Sequence, residues 1–371
     1  MTLREGGLRA IGVLTSGGDA QGMNAAVRAV ARTALAHGVE VYAVHEGYEG
    51  LVQGGDLIRR LEWADLGGIL HRGGTVLGTA RSAAFRTEEG QLAAARHLVQ
   101  REIGALAVIG GDGSLTGASV FRTRWPEYVA TLAARGEISP AQAAQAPSLA
   151  LVGLVGSIDN DFCGTDMTIG ADSALHRITE AIDALSSTAA SHQRSFVVEV
   201  MGRNCGYLAL MSAVACGAHW LFVPENPPTP GWEEVMCARL QAGRAAGRRD
   251  AIVVVAEGAR DREGQPITSE RLRALLEDRL GWETRITVLG HVQRGGAPSA
   301  FDRWMGALVG HEAVTTLLGA APDAPALVIG TRANRPHPIP LLESVATTQE
   351  VAAAVAGRDY IRATALRGGS F

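Results

Sequence analysis

The sequence contains no lysine, and all 34 of its basic residues are arginines. This absence excludes the phosphate-binding loop that depends on a lysine, Schiff-base chemistry, and any lysine that acts as a general base. Bound phosphate groups must therefore be held by backbone amides and by arginine side chains. Arginine binds phosphate through two parallel hydrogen bonds, so the absence of lysine does not exclude phosphate chemistry.

Cysteine and long apolar segments are also scarce. The four cysteines show neither metal-type spacing nor the density of a disulfide scaffold, which favours a reduced, cytoplasmic setting: Cys163, Cys205, Cys216 and Cys237. No apolar run is long enough to span a bilayer, and residues 1–10 lack the apolar centre of a secretory signal. The net charge of −4 argues against nucleic-acid binding, so we expect neither nucleic-acid nor membrane partners.

The composition is that of a globular chain, and 371 residues are enough for two domains. Short apolar segments alternate with helical ones, which predicts an α/β fold with parallel sheets covered on both faces. Strands are predicted at residues 10–15, 40–45, 105–109, 149–155, 196–200, 221–223, 251–256 and 286–289. Helices are predicted at residues 23–37, 87–100, 171–187, 232–246 and 268–280. Residues 115–148 are predicted to be a helical surface insertion.

Three predicted strands end in glycine-rich turns, at Gly17, at Gly111 to Ser114 and at Gly156-Ser157. The first turn leads into a helix N-terminus, where free amides and the helix dipole favour an anion. The glycines around Asp112 allow backbone to approach phosphate, while its carboxylate suits a hard divalent cation. Asp159 and Asp161 follow the third strand, so one is predicted to accept a proton and the other to support it. An Asx-turn that merely ends the strand is the alternative.

Further along the chain stand residues suited to an anionic substrate: Arg194, Arg203, Glu257, Arg285, His291 and Arg294. Seven motifs occur in the order seen in the 6-phosphofructokinases: Thr15-Ser16-Gly17-Gly18-Asp19, Gly110-Gly111-Asp112-Gly113-Ser114, Ser157-Ile158-Asp159-Asn160-Asp161, Ser191-His192-Gln193-Arg194, Met201-Gly202-Arg203, Glu283-Thr284-Arg285 and Gly290-His291-Val292-Gln293-Arg294-Gly295-Gly296. From about residue 10 to 345 the chain resembles this family, and in particular one half of the long eukaryotic enzyme.

The resemblance implies two Rossmann-like three-layer αβα domains with mostly parallel sheets and an active site in the cleft between them. Residues 1–170 plus about 293–343 would bind ATP. Residues of about 171–292 plus 344–371 would bind fructose 6-phosphate. The reaction would transfer the γ-phosphoryl group of ATP to the sugar's 1-hydroxyl in glycolysis, and the expected assembly is a homotetramer.

Individual roles also follow from the resemblance. Asp159 would be the general base, Asp161 would support it, and Asp112 would hold Mg²⁺. The ATP phosphates would be lined by Gly17, Arg81, Ser82, Gly111, Gly113 and Ser114. Ser157 and Arg203 would meet the transferring phosphoryl group, and the sugar would contact Met201, Gly202 and Glu257. The 6-phosphate would be bound by His291 and Arg294, together with Arg194 and Arg285 of a neighbouring subunit.

Two glycines favour ATP as the phosphoryl donor. Related pyrophosphate-using enzymes tend to carry Asp where this chain has Gly113 and Lys where it has Gly156. An acidic side chain at 113 would fill the space of an inner phosphate and repel it, so glycine at both positions is expected to leave room for ATP. The alternatives are a pyrophosphate-dependent enzyme, a non-catalytic regulatory subunit, and a lipid or dinucleotide kinase.

Regulation is predicted to be weak or altered. In short bacterial relatives, ADP or phosphoenolpyruvate binds basic residues at a subunit interface. Here that role falls to Arg28, Arg32, Arg248 and Arg249. However, uncharged or weakly basic residues stand where those relatives have charged partners, namely Trp63, Ser186 and His219. Residues 346–371 match nothing firmly and receive no predicted role.

Overall fold

The computed structural model describes residues 8–321 and 323–367. Its strands are β1 Ala10–Ser16, β2 Glu40–Val44, β3 Ile58–Arg60, β4 Ile103–Gly110, β5 Ala150–Ser157, β6 Ile169–Gly170, β7 Ser195–Val200, β8 Trp220–Phe222, β9 Ala251–Ala256, β10 Thr284–Val288, β11 Leu327–Arg332 and β12 Arg335–Pro340. Its α-helices are α1 Met23–Ala36, α2 Tyr48–Gln53, α3 Glu88–Gln100, α4 Asp112–Thr123, α5 Trp125–Ala134, α6 Pro140–Gln145, α7 Ala171–His192, α8 Tyr207–Cys216, α9 Trp232–Ala245, α10 Ser269–Leu280, α11 Ala300–Gly319, α12 Leu341–Ala356 and α13 Tyr360–Arg367.

Local sequence explains where several helices begin. Thr87, Thr268 and Ser299 each precede a helix, and each hydroxyl accepts a hydrogen bond from the backbone amide three residues later, at 3.1 to 3.2 Å. Such N-caps satisfy amides that the first helical turn leaves without a partner. The predicted helices at 87–100 and 268–280 therefore start at a hydroxyl-bearing residue.

The chain forms two compact units. Among the described residues, the first unit comprises those up to Ser157, Phe162–Gly170 and Gly296–Thr347. Its sheet has the order β12-β11-β5-β4-β1-β2-β3, with β6 pairing the end of β5. All pairings are parallel except those of the edge strands β3 and β12. Strands β1 and β4 are buried almost throughout, as a sheet covered on both faces requires.

The prediction that residues 115–148 form a surface insertion is wrong. These residues are helical, but Phe121, Trp125 and Tyr128 are no more than 1% exposed and belong to the core of the first unit. The ring of Phe121 lies 5.8 Å from that of Trp125 and 5.7 Å from that of Tyr128. Aromatic residues spaced four and three apart share one helical face, so α4 and α5 bury an aromatic stripe.

The second unit comprises Ile158–Asp161, Ala171–Gly295 and the described residues from Thr348 onward. Its four strands follow the order β10-β7-β9-β8, and every pairing is parallel. Trp232 and Met236 of α9 pack with Leu272 and Leu276 of α10 in its core. The α/β class with mostly parallel sheets is therefore confirmed.

Some elements were absent from the sequence-based prediction. These are chiefly α8, α11, β11, β12, α12 and α13. Residues 346–371 include the end of α12 and the whole of α13. The last four of these residues lie outside the described part of the chain. None of the described helices is long and apolar enough to span a bilayer. No disulfide joins the four cysteines, all of which lie in the described part.

Candidate active site

Two neighbouring strands of the first unit end in the predicted glycine turns. β1 runs into Gly17, and β4 runs into Gly111 at the start of α4. The Ser114 hydroxyl donates to Ser16 Oγ at 2.9 Å and so joins the two turns. Gly17 has φ of +89°, and an added Cβ would lie 3.1 Å from Ser114 Oγ. A larger residue at 17 would be strained and would crowd Ser114, so glycine is needed here.

Asp112 is the first residue of α4, with Gly111 as an N-cap that supplies no side-chain bond. The Ser114 amide donates to the Gly111 carbonyl at 3.0 Å, but no N-cap side chain covers the first helical turn, and the helix dipole favours an anion beside its amides. The Thr116 hydroxyl lies 2.9 Å from the Asp112 carbonyl oxygen and 3.2 Å from Asp112 Oδ1, so its hydrogen is shared between the backbone and the carboxylate. No three His, Cys, Asp or Glu side chains group into a metal cage within residues 8–321 and 323–367. A single carboxylate beside a phosphate site nevertheless fits Mg²⁺, which is commonly held by one or two carboxylates and substrate phosphates.

The two glycines used to predict the donor have different surroundings. A Cβ at Gly113 would meet no atom within 4 Å, so the space beside it is open. A Cβ at Gly156 would lie 2.5 Å from Met23 Cε and 3.3 Å from Ile109 Cγ2. A side chain at 156 would therefore meet Met23, whereas one at 113 would not, and the expectation that both glycines leave room for ATP stays a prediction.

The remaining predicted residues of the first unit lie on loops and at a strand end. Arg81 is exposed on the loop that precedes the short helix Ala84–Arg86. The Ser82 hydroxyl accepts from the Phe85 amide at 3.1 Å and so caps that turn. Ser157 ends β5, and its carbonyl accepts from Thr168 Oγ1 at 2.6 Å. The structure thus gives Ser82 a local structural role besides its predicted one.

In the second unit, the predicted base is buried and paired with an arginine. Asp159 is 2% exposed, and its Oδ2 lies 3.4 Å from Arg203 Nε. Burial, followed by the negative charge of Asp161, raises the pKa of Asp159 to about 6, although Arg294 and Arg203 oppose the rise. The charge of Asp161 therefore affects the ionisation of Asp159, as expected for a carboxylate two positions away in sequence. At neutral pH most of Asp159 is ionised and able to accept a proton.

The turn that carries Arg203 is strained and tightly held. Gly202 has φ of +131°, and Arg203 has φ of +53°, a conformation uncommon for residues with a side chain. The Arg203 amide donates to Glu257 Oε1 at 2.6 Å, and the Met201 amide donates to Gln293 Oε1 at 3.1 Å. Glu257, predicted to contact the sugar, therefore also fixes the backbone of Arg203.

Two residues of this region were missed by sequence reasoning. Gln293 is fully buried, and its amide also donates to the Gly290 carbonyl at 2.9 Å, linking the 201–203 turn to the turn that bears His291. Glu225 is 1% exposed and accepts hydrogen bonds from the Gly206 amide through both carboxylate oxygens. The only signal for Gln293 was its position inside a motif, and Glu225 had none.

Three adjacent parallel strands of the second unit have their C-terminal ends on the same side of the sheet, and the predicted residues of this unit follow those ends. β7 ends before Met201, β9 ends before Glu257, and β10 leads to the short helix Gly290–Arg294 that carries His291. Asp159 lies in the electrostatic field of Arg203, Glu257 and Arg294. This is the edge at which open α/β sheets bind ligands.

Arg194 and Arg285 lie near the opposite, N-terminal ends of strands in the same sheet. Arg194 directly precedes β7, and Arg285 is the second residue of β10. Six residues of β7 separate Arg194 from Met201, which corresponds to about 20 Å along an extended strand. Both arginines contact Glu283.

The residues predicted for regulation are only partly in contact. In the first unit, the guanidinium of Arg32 lies 4.5 Å from the centre of the Trp63 ring, as in a cation–π contact. Burial, with the charge of Arg32 second, lowers the pKa of Arg28. In the second unit, Arg249 Nε donates to the Ala190 carbonyl at 2.9 Å. Weak control by ADP or phosphoenolpyruvate stays a prediction.

Comparison with known proteins adds independent information. Residues 10–317 match the family model "Phosphofructokinase". The chain is 57% identical over 363 residues to the human ATP-dependent 6-phosphofructokinase of liver type, covering 98% of this chain and 46% of that protein. It is 49% identical to the solved phosphofructokinase of Saccharomyces cerevisiae, with a TM-score of 0.96 over 98% of this chain and 49% of that one. The T-state structure of Pichia pastoris phosphofructokinase is 50% identical, with a TM-score of 0.92 over 98% of this chain and 38% of that one. The chain thus spans about half the length of the curated relatives it matches.

Proposed function

The chain belongs to the phosphofructokinase family, and from this membership we propose that it transfers the γ-phosphoryl group of ATP to the 1-hydroxyl of fructose 6-phosphate. The products are fructose 1,6-bisphosphate and ADP. The observation that carries the proposal is the buried carboxylate of Asp159 paired with Arg203 at the ligand-binding edge of the second sheet. This pair supplies a proton acceptor and a positive charge within one small region.

Asp159 accepts the proton of the 1-hydroxyl in the proposed reaction. The hydroxyl oxygen forms its bond to the γ-phosphorus as the bond from that phosphorus to the bridging oxygen breaks, and ADP takes up the electron pair. Arg203 neutralises charge on the transferring group, since phosphoryl transfer depends mainly on positioning and charge neutralisation. A positioned base of this kind contributes roughly 10²–10⁴-fold to the rate. Asp161 supports the base by keeping its pKa raised.

The glycine turns of the first unit are the proposed ATP site. The ATP phosphates are lined by Gly17, Gly111, Gly113 and Ser114, and Arg81 adds a positive charge. The Asp112 carboxylate holds Mg²⁺, which when bound neutralises the charge of the nucleotide phosphates. Open space beside Gly113 supports a nucleotide as donor, because glycine itself adds neither a side chain nor a negative charge beside an inner phosphate. We therefore assign ATP to the first unit and the sugar phosphate to the second.

The sugar's 6-phosphate is proposed to bind residues from two subunits. His291 and Arg294 follow β10 at the edge that bears Asp159, and Met201 and Gly202 contact the sugar there. Arg194 and Arg285 are separated from these strand ends by the length of β7, which supports the proposal that they bind the 6-phosphate in the site of a neighbouring chain. The proposal therefore includes self-association, as a homotetramer, in the cytosolic setting expected from the cysteine content.

A coupled assay for the formation of fructose 1,6-bisphosphate tests the function directly, because that product forms with either phosphoryl donor. With saturating fructose 6-phosphate and Mg²⁺, turnover with ATP is expected to exceed turnover with pyrophosphate. Asp159→Asn is expected to lower kcat by two to four powers of ten with little change in KM. Asp278→Asn is the control, because Asp278 is an exposed carboxylate on α10 in the same unit. Faster turnover with pyrophosphate would refute the donor, and absence of fructose 6-phosphate phosphorylation would refute the function.

A further inference from the structure

One carboxylate joins the two arginines at the N-terminal edge of the second sheet. Glu283 Oε2 accepts from Arg194 Nε at 2.9 Å, and Glu283 Oε1 accepts from a terminal nitrogen of Arg285. The bridge uses one nitrogen of each guanidinium. Two terminal nitrogens of Arg194 and one of Arg285 are not engaged by Glu283, so each arginine keeps donors for a further ligand.

The register of two strands produces this arrangement. β10 is the edge strand, and it pairs in parallel with β7 so that Thr284 lies opposite Ser195. The Ser195 amide also donates to the Glu283 carbonyl at 3.1 Å, which brings Glu283 beside Arg194. Glu283 directly precedes β10 and stands two residues before Arg285, a spacing that in extended backbone places two side chains on the same face. The three charged groups therefore meet because of backbone pairing.

Arg244 contacts the residues that directly precede Glu283 and Arg194. The guanidinium of Arg244, on α9, lies 3.7 Å from the centre of the Trp282 ring, and Trp282 directly precedes Glu283. Arg244 also donates to the Gln193 carbonyl at 2.6 Å, and Gln193 directly precedes Arg194. Arg244 thus fixes the backbone on both sides of the carboxylate bridge.

We propose that Glu283 is a positioning residue that holds Arg194 and Arg285 as a two-pronged site for the 6-phosphate of fructose 6-phosphate. The inference rests on the proposed function and names a residue to which that function gave no role. Without the carboxylate, two adjacent guanidinium groups repel each other and lose their fixed spacing. With it, the cluster keeps a net positive charge and presents arginine donors at a set separation, which lowers the ordering cost of phosphate binding.

A purely stabilising role for the bridge is disfavoured by its exposure. Glu283 is 49% exposed and Arg285 is 57% exposed, and ion pairs of this kind add little to folding stability. The hydrogen bond from Arg194, followed by the nearby positive charges, lowers the pKa of Glu283, so its charge persists at neutral pH. Replacing Glu283 should therefore leave the fold intact and change ligand binding.

The test compares steady-state kinetics of Glu283→Ala and Glu283→Gln with those of the unmodified chain, with fructose 6-phosphate as the varied substrate. Glu283→Ala is expected to raise KM for the sugar phosphate about tenfold, with kcat and the KM for ATP changed less than about twofold. Glu283→Gln keeps one hydrogen-bond acceptor, so its KM is expected to lie between the two. Glu234→Gln is the matched control, since Glu234 is an exposed carboxylate that pairs with Arg279 at 2.5 Å in the same unit.

A double-mutant cycle separates positioning from direct action. If Glu283 acts through the arginines, Glu283→Ala is expected to change KM less than about twofold in a chain that also carries Arg194→Ala and Arg285→Ala. An unchanged KM in the single variant would overturn the inference while the function stands. A lowered KM would also overturn it, because it would mean that the carboxylate competes with phosphate. If the unmodified chain does not phosphorylate fructose 6-phosphate, both the inference and the proposed function are refuted.

Discussion

Arg203 Nε lies 3.4 Å from Asp159 Oδ2, although the arginine side chain is 67% exposed and the aspartate only 2% exposed. The pair therefore joins a buried group to an open one. Burial raises the pKa of Asp159 and makes it a better base, while the guanidinium keeps it largely ionised near neutral pH. Because Arg203 is exposed, its remaining donors are accessible to a transferring phosphoryl group.

The fall of kcat/KM on the acid side of its pH profile is expected to report the protonation of Asp159 in this pair. A base with a pKa of about 6 loses activity as it is protonated, so kcat/KM should fall tenfold per pH unit below about pH 6. Asp161→Asn removes the neighbouring negative charge and should move this limb to lower pH. Initial rates between pH 5 and 8, at subsaturating fructose 6-phosphate, measure both. A limb that stays at the same pH in the variant would show that Asp161 does not tune the base.

Gly113 is expected to be a site where one substitution weakens ATP binding. Gly113→Asp has room for its side chain, so it should fold, but its carboxylate adds negative charge to the proposed phosphate site. Repulsion between close charges of about 1–4 kcal/mol predicts a loss of about fivefold or more in kcat/KM for ATP. Gly113→Ala is the control, because it fills the same space without charge and should lose little. Equal losses of kcat/KM in Gly113→Asp and Gly113→Ala would show that crowding, and not charge, causes the loss.

Two inactive variants are expected to restore activity when mixed. Asp159→Asn lacks the proposed base, and Arg285→Ala lacks a proposed phosphate ligand of the neighbouring site. If Arg285 serves a second subunit, a mixed pair contains one complete site, and random pairing gives about a quarter of the wild-type sites. The measurement is activity after the two chains are co-expressed or refolded together. Activity no greater than the average of the separate variants would place Arg285 in its own chain's site.

The ion pair between Arg367 and Glu225 is expected to be important for stability. Their side chains are only 8% and 1% exposed. Arg367→Leu would leave the buried carboxylate without its guanidinium, a change that typically costs about 3–5 kcal/mol in the free energy of unfolding. Burial raises the pKa of Glu225 and Arg367 lowers it, so removing Arg367 raises it further. The loss should therefore be larger at pH 7 than at pH 5, where Glu225 is more readily protonated.

Urea denaturation at both pH values measures that loss. Arg362→Leu is the control on the same helix, since its pair with Glu350 is 60% and 53% exposed and should contribute at most about 1 kcal/mol. Equal effects of the two variants would show that burial does not decide the contribution of the pair.

Strand periodicity and glycine turns made much of the fold predictable, and packing explains the exceptions. Strand β9 was predicted with its observed bounds, because six consecutive apolar residues favour a buried parallel strand. Helix α11 was missed, and it contains Gly306 and Gly310, where a Cβ would lie 3.0 Å from the carbonyl oxygen of Gly22, the N-cap of α1, and 2.8 Å from that of Ala26 in α1. Glycine weakens the helical signal in the sequence, whereas here it permits close helix packing. The aromatic spacing in α4 and α5 did carry a core signal, which the surface interpretation ignored.

The candidate site was predictable wherever a motif named its residues, but its supporting contacts were not. The pairing of Asp159 with Arg203 depends on how a loop approaches the end of β7. The bridge of Glu283 to Arg194 depends on a strand register over 89 positions of sequence separation. No local pattern encodes such distances, so the roles of Glu283, Gln293 and Glu225 became visible only in the structure.

Met23 occupies the room beside Gly156, whereas nothing occupies the room beside Gly113. Evolutionary change at these two glycines is therefore constrained differently. A larger residue can arise at 113 without displacing a neighbour, but at 156 it requires the end of the Met23 side chain to move or a smaller residue at 23. A lineage that altered its phosphoryl donor through position 156 would therefore have had to repack or replace a residue of the first helix.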